Sequence, residues 1–154
     1  MISLTAIEIS DNVISIGSEA FEGTGYANDE SNWENGALYV GNHLIIAPRD
    51  ISGSYKIRNG TKSIASCAFF EHENFQSITI PDSVVSIGDF AFYYCTKLKY
   101  VEIPRSVEFI GIGAFAGIVS SSSDFALWGA KDSVAEEYAK SNGFKFVNKY
   151  LEKP

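Results

Sequence analysis

The feature that most constrains this chain is one dipeptide repeated in register. Ala-Phe occurs at Ala20-Phe21, Ala68-Phe69, Ala91-Phe92 and Ala114-Phe115, and the last three copies lie 23 residues apart. The first gap is 48 residues, one period of 23 plus 25 more. Counting back from each alanine gives fixed columns. Four residues earlier stand Ile16, Ile64, Ile87 and Ile110; seven earlier, Val13, Thr61, Val84 and Val107; eleven earlier, Ile9, Ile57, Ile80 and Ile103. Two further columns hold Ile7, Tyr55, Ile78 and Val101, then Leu4, Ser52, Phe75 and Leu98. Of these 28 slots 26 are apolar, Ser52 and Thr61 being the exceptions. Self-similarity at such a period marks a stack of small units, each too small to bury its own apolar face.

The unit reads as one coil. Phe75 to Ile80 ends in an alternation of β-branched residues and predicts a short strand. Pro81 and Pro104 follow the strands directly, where a residue without an N–H cannot extend a ladder. Asp82-Ser83 and Arg105-Ser106 make a corner, and a second short extended stretch runs from Val84 to Ile87 and from Val107 to Ile110. Gly17, Gly88 and Gly111 come next, where a tight turn favours glycine. The Ala-Phe pair then opens a turn that packs phenylalanine inward. Stacking such coils with parallel strands about 4.7–4.9 Å apart yields a right-handed solenoid.

These residues carry a resemblance. The run Phe75-Gln-Ser-Ile-Thr-Ile-Pro-Asp-Ser-Val-Val-Ser-Ile-Gly-Asp-Phe-Ala-Phe-Tyr-Tyr-Cys95 is similar to the BspA-like, or Treponema-type, leucine-rich repeat, and Leu98 to Phe115 matches it again. Leu4 to Phe21 matches with Ser10 in place of the proline, and the copy at Tyr55 to Phe69 departs at Arg58-Asn59-Gly60-Thr61. The resemblance implies a leucine-rich-repeat solenoid of the α/β horseshoe class, with mostly short parallel strands and turns. It also implies a non-enzymatic role in adhesion or protein recognition at a bacterial cell surface or outside the cell.

We expect a single solenoid domain with repeat frames at 4–23, 52–74, 75–97 and 98–119, an insertion at 24–51 and a C-terminal cap at 120–150. Within the insertion, Ala37 to Val40, Gly41-Asn42 and His43 to Ala47 predict a β-hairpin with a two-residue type II′ loop. Ser31 and Glu34 stand at capping-box spacing ahead of it. In the cap, Ser120 to Asp124 is a polar loop, Asp132-Ser133 starts a short helix that Gly143 ends, and Phe144 to Phe146 makes a last strand. The first frame begins at Leu4 with no cap before it, so that end is expected to stack on upstream repeats of a longer array or to pair with another copy.

Composition excludes several function classes. Nineteen acids against twelve bases give a net charge of −7, unsuited to a phosphate backbone. No apolar run reaches the roughly 18–20 residues of a membrane-spanning helix. His43 and His72 fall in different coils without ligand spacing, and the alternating Asn28, Glu30, Asn32 and Glu34 lack the glycine and terminal glutamate of a calcium loop. No metal or other cofactor is expected. Cys67 and Cys95 occupy different frame slots and are expected as free thiols. Gly111, Gly113 and Gly117 lack dinucleotide spacing.

What the frame does offer is an outward strand face. Its side chains differ from coil to coil while the inward columns stay constant: Thr5 and Glu8; Ser54, Lys56 and Arg58; Gln76 and Thr79; Lys99, Tyr100 and Glu102. Aligned by stacking, they form the candidate face for a protein ligand. Two alternatives stand beside it. One is a carbohydrate-binding module using an exposed coplanar pair among Trp33, Tyr39, Tyr55 and Tyr100; the other is a purely structural spacer in a larger surface protein.

Overall fold

The computed structural model describes residues 4–118 and 124–150. Most of the polar loop expected at 120–124 lies outside the described residues. The elements run in the order α1 (Gly25–Asn28), a 3₁₀ turn (Glu30–Asn32), β1 (Trp33–Glu34), β2 (Ala37–Val40), β3 (His43–Ile46), β4 (Gly53–Lys56), β5 (Ser63–Ile64), β6 (Phe75–Thr79), β7 (Ser86–Ile87), β8 (Tyr100–Glu102), β9 (Phe109–Ile110), β10 (Ala126–Gly129), α2 (Val134–Asn142) and β11 (Lys145–Asn148). They build a β-solenoid of about four turns with one helix near the C-terminus.

The two strands of each of the three later repeats line two sides of the stack. The second strands form one sheet in the order β1-β2-β3-β5-β7-β9, with Ile64, Ile87 and Ile110 paired in parallel register. The first strands form the other side in two pieces, β4-β6 and β8-β10-β11. Between the two sides Phe69, Phe92 and Phe115 of the phenylalanine column are fully buried. Phe69 stacks on Phe92 at 4.8 Å between centroids and Phe92 on Phe115 at 5.1 Å, spacings set by the strand separation. The two exceptions to the apolar columns have local explanations. The Thr61 hydroxyl donates to the Arg58 carbonyl at 2.7 Å and closes the Asn59-Gly60 turn. A bulge at Gly53/Ser54 leaves Ser52 exposed and lets Ile51 enter the core in its place.

The glycines after each isoleucine serve a different purpose from the one expected. Gly88 and Gly111 have no left-handed φ. They are glycine because the neighbouring coil touches them: a β-carbon on Gly88 would lie 2.5 Å from the Ser66 nitrogen, and one on Gly111 2.5 Å from the Asp89 nitrogen. Two positions are left-handed in every coil, just before the alanine (Glu19, Cys67, Phe90, Gly113) and three after it (Gly23, Glu71, Tyr94, Gly117). The inter-coil backbone bonds hold these turns, among them Phe69 N–H to the Ala91 carbonyl and Phe92 N–H to the Ala114 carbonyl, both 2.7 Å. Aromatic rings also line the turn edge, with Phe70 stacked on Tyr93 beside Phe90 and Tyr94.

The hairpin enters the stack as an element in its own right. β3 pairs in parallel with β5, His43 opposite Ser63 and Leu44 opposite Ile64, so β3 holds the place beside the second coil. Residues 4–23 contain no strand and pack on the other face of the hairpin. Alternate residues therefore serve two cores. Ala37, Tyr39 and Leu44 face the main one; Leu38, Val40 and Ile45 face a second one closed by Ile16, with half-buried Ile7, Ile9, Val13 and Phe21 around it. His43 pins the junction. Its Nε2 is 3.1 Å from the Ser10 carbonyl and must donate to it, which leaves Nδ1 to accept from the Ser63 hydroxyl at 2.7 Å. Ahead of the hairpin, Thr24 caps α1 and Asp29 caps the 3₁₀ turn; Glu34 lies in β1, so the Ser31/Glu34 capping box does not form.

At the other end α2 covers the stack. The Ser133 hydroxyl accepts from Glu136 N–H, Ala135 and Ala139 are buried, and Gly143 ends the helix at φ 72°. The Tyr138 hydroxyl accepts from Phe115 N–H at 3.3 Å, tying the cap to the phenylalanine column.

Candidate recognition surface

On the outer side of the first strands the register places side chains in rows. Ser54 pairs with Ser77, whose hydroxyl donates to Ser54 Oγ at 2.9 Å, and Lys56 pairs with Thr79. Beyond a break in the ladder, Tyr100, Ala126 and Lys145 form one row and Glu102, Trp128 and Val147 the next. The structure thus brings Ser54, Lys56, Thr79, Tyr100 and Glu102 onto a common side in two adjacent sheets. Gln76 is the extra residue of the β4-β6 bulge, and Lys99 precedes β8; both are exposed.

The other expected face residues are elsewhere. Thr5 and Glu8 are exposed on the segment beside α1, where Tyr26 N–H donates to the Leu4 carbonyl, outside both strand-face sheets. Arg58 turns toward the hairpin, with its guanidinium 4.0 Å from the Tyr39 ring centroid, paired with Glu34 at 2.8 Å and bonded to the Gly41 carbonyl. It clamps the insertion to the second coil.

One groove on this face gathers the Tyr100 and Trp128 rings and three lysines. Tyr100 stacks on Trp128 with centroids 4.7 Å apart and planes 26° apart. Beside them a groove of about 570 Å³ is floored by buried Leu98, Phe125 and Ala126 and edged by exposed Lys97, Lys99 and Lys145. Glu102, on the next row, is ion-paired with Lys149. Trp128 and Lys145 were not legible as site residues because the 23-residue frame ends before them. The available signal was the apolar run Phe125 to Ala130 after a polar stretch.

Among the described residues no group of three or more His, Cys, Asp or Glu could hold a metal ion, and no helix is long and apolar enough to cross a membrane. Both thiols are free. Cys95 is fully buried with its S–H toward the Phe69 carbonyl, and burial pushes it up to about 12; burial also raises half-exposed Cys67. A disulfide reagent at mildly alkaline pH should therefore label one thiol, Cys67, in the folded protein and the second only after denaturation. Equal labelling rates for both in the native state would contradict the burial of Cys95.

A family model described as BspA type leucine-rich repeat region (6 copies) matches residues 1–35 and 52–137. The chain belongs to the BspA-type leucine-rich repeat family. The match leaves out 36–51, the hairpin that enters the stack between repeats. The crystal structure of a leucine-rich repeat protein from Eubacterium ventriosum is similar, with a TM-score of 0.56 and 27% identity over 64% of this chain. The match covers 27% of that protein's chain, so this one spans only a part of its length. No curated protein matches.

Proposed function

We propose that this BspA-type segment is a non-enzymatic recognition module of a cell-surface or secreted bacterial protein, which binds a protein partner on its outer strand face. The observation that carries the reading is the contrast between columns. Inward positions repeat the same apolar residues coil after coil, whereas the outward rows change from Ser54 and Lys56 to Tyr100 and Glu102 and end in an aromatic groove. BspA-type repeats occur typically in surface or secreted bacterial proteins, which supports the location. Support for a passive chemistry comes from the groups with displaced pKa: Cys67, Cys95, Tyr55 and Tyr138 are raised by burial, Asp29 is lowered by its bonds to Ser31 and Lys149 is raised by Glu102, and none of them lines the groove.

The glycan reading has less support. Tyr39 is buried, Tyr55 packs edge-on against Phe69, and the half-buried Trp33 indole donates to the Ala27 carbonyl. Tyr100 is exposed, but its partner Trp128 lies against its face rather than beside it in one plane.

The test is to block the face. Thr79→Arg places a long cation at the exposed centre of the strand face, while Ser18→Arg does the same on an exposed turn of the first frame. Binding to proteins of a bacterial or host surface extract, followed by surface plasmon resonance, should fall at least about tenfold for the first and stay unchanged for the second. Equal binding by both variants would reject the strand face.

A further inference from the structure

We propose that the groove beside Tyr100 and Trp128 receives an acidic, extended peptide segment of the partner, with apolar side chains on its floor. The inference rests on the protein-recognition reading and narrows it to one chemistry. The chain as a whole carries −7, yet Lys97, Lys99 and Lys145 edge this groove against a single lining carboxylate, Asp124. Among the described residues none of the three lysines lies in a salt bridge; Lys97 Nζ donates to the Asn74 side chain at 3.2 Å. The nearest row shows the contrast, since there Glu102 and Lys149 neutralise each other. Unpaired cations collected at one concavity of an acidic protein attract an anionic ligand over roughly a Debye length and repel a cationic one.

The floor selects the kind of anion. Leu98, Phe125 and Ala126 present buried apolar carbon between the lysines of the β8 side and Lys145 on β11. A ligand that satisfies both must carry carboxylates and apolar side chains on one extended backbone, which an acidic peptide does. An anionic sugar chain would supply the charge but no apolar side chains for this floor.

The probe is a fluorescein-labelled peptide rich in Asp and Glu with Leu and Phe interspersed. Its twin has Asn and Gln in place of the acids, and a heparin oligosaccharide serves as a third ligand. Fluorescence anisotropy at low salt should show the acidic peptide binding at least about tenfold more tightly than its twin, with the gap closing as salt rises. Lys97→Gln, Lys99→Gln and Lys145→Gln combined should abolish the gap, and Trp128→Ala should weaken both peptides. Circular dichroism of the triple variant should match the parent, since all three side chains are exposed. If the neutral twin binds equally well and Thr79→Arg still blocks it, the acidic class is overturned while face recognition stands. Heparin binding without peptide binding overturns the peptide in favour of an anionic glycan. Failure of all three ligands overturns this inference alone, the recognition reading being decided by the extract experiment.

Discussion

Phe92→Ala should destabilise the fold by about 3–5 kcal/mol. Phe92 is fully buried and is stacked on both sides, by Phe69 at 4.8 Å and by Phe115 at 5.1 Å. Removing it takes out the middle of the column. Its neighbours are held at the strand spacing by backbone bonds on either side, Phe69 N–H to Ala91 and Phe92 N–H to Ala114, so the coils cannot close the gap. The cost then includes the cavity as well as the lost transfer energy. Urea unfolding read by circular dichroism should show a large fall in midpoint at unchanged slope. A loss below about 1 kcal/mol would mean that the column is not continuous. Phe21→Ala, at the same repeat slot but half-buried in the second core, should cost clearly less.

Gly88→Ala should cost about 1–3 kcal/mol through overpacking, although alanine is nominally the better residue for a chain with ordinary φ. Its new methyl would meet only backbone, at 2.5 Å from Ser66 N, 2.7 Å from Ala65 C and 2.8 Å from Ser66 Cα, none of which can rotate away. Either the coil spacing opens locally or the Gly88 N–H bond to the Ile64 carbonyl, 2.8 Å, is strained. Gly17 occupies the same slot in the first frame and has nothing within 4 Å of its would-be β-carbon. Gly17→Ala should be neutral or stabilise by up to about 1 kcal/mol, because it only restricts the unfolded chain. The pair therefore measures coil-to-coil contact directly. Equal effects at both positions would contradict the structure.

The repeat told more about the fold than about the surface. Isoleucine, alanine and phenylalanine at fixed spacing pointed to the stacked core because an inward column must be apolar in every coil. The hairpin was equally readable, since Gly41 at its turn adopts φ 56° as a two-residue type II′ loop demands. Its strands also carried a further signal. Ala37 to Val40 and Leu44 to Ala47 are apolar without alternation, the pattern of strands buried on both faces, and the structure covers them on both. Of the face residues, Ser54, Lys56, Thr79, Tyr100 and Glu102 follow from period-two alternation within a strand, whereas Gln76 is the bulge residue and falls outside it. Arg58 does not follow either, because it lies beyond the strand end, where the backbone turns and a long side chain reaches whatever is near, here Tyr39 and Glu34.

By itself the sequence determined which side chains point inward, because a fixed period and a period-two strand leave each column one side to occupy. It also determined the turn residues, the free thiols' separate slots and the C-terminal helix with its serine and glycine ends. Only the tertiary structure decided what stands next to the second coil. The first frame and the hairpin both offer apolar extended segments to that edge, and local sequence ranks neither. The hairpin strand takes the edge and the first frame covers its second face, which buries Leu38, Val40 and Ile45 as well as Leu44. The same holds for the groove. Lys97, Lys99 and Tyr100 lie together where one repeat frame meets the next, Trp128 and Lys145 come from strands outside the period, and parallel pairing of β8, β10 and β11 alone makes them neighbours.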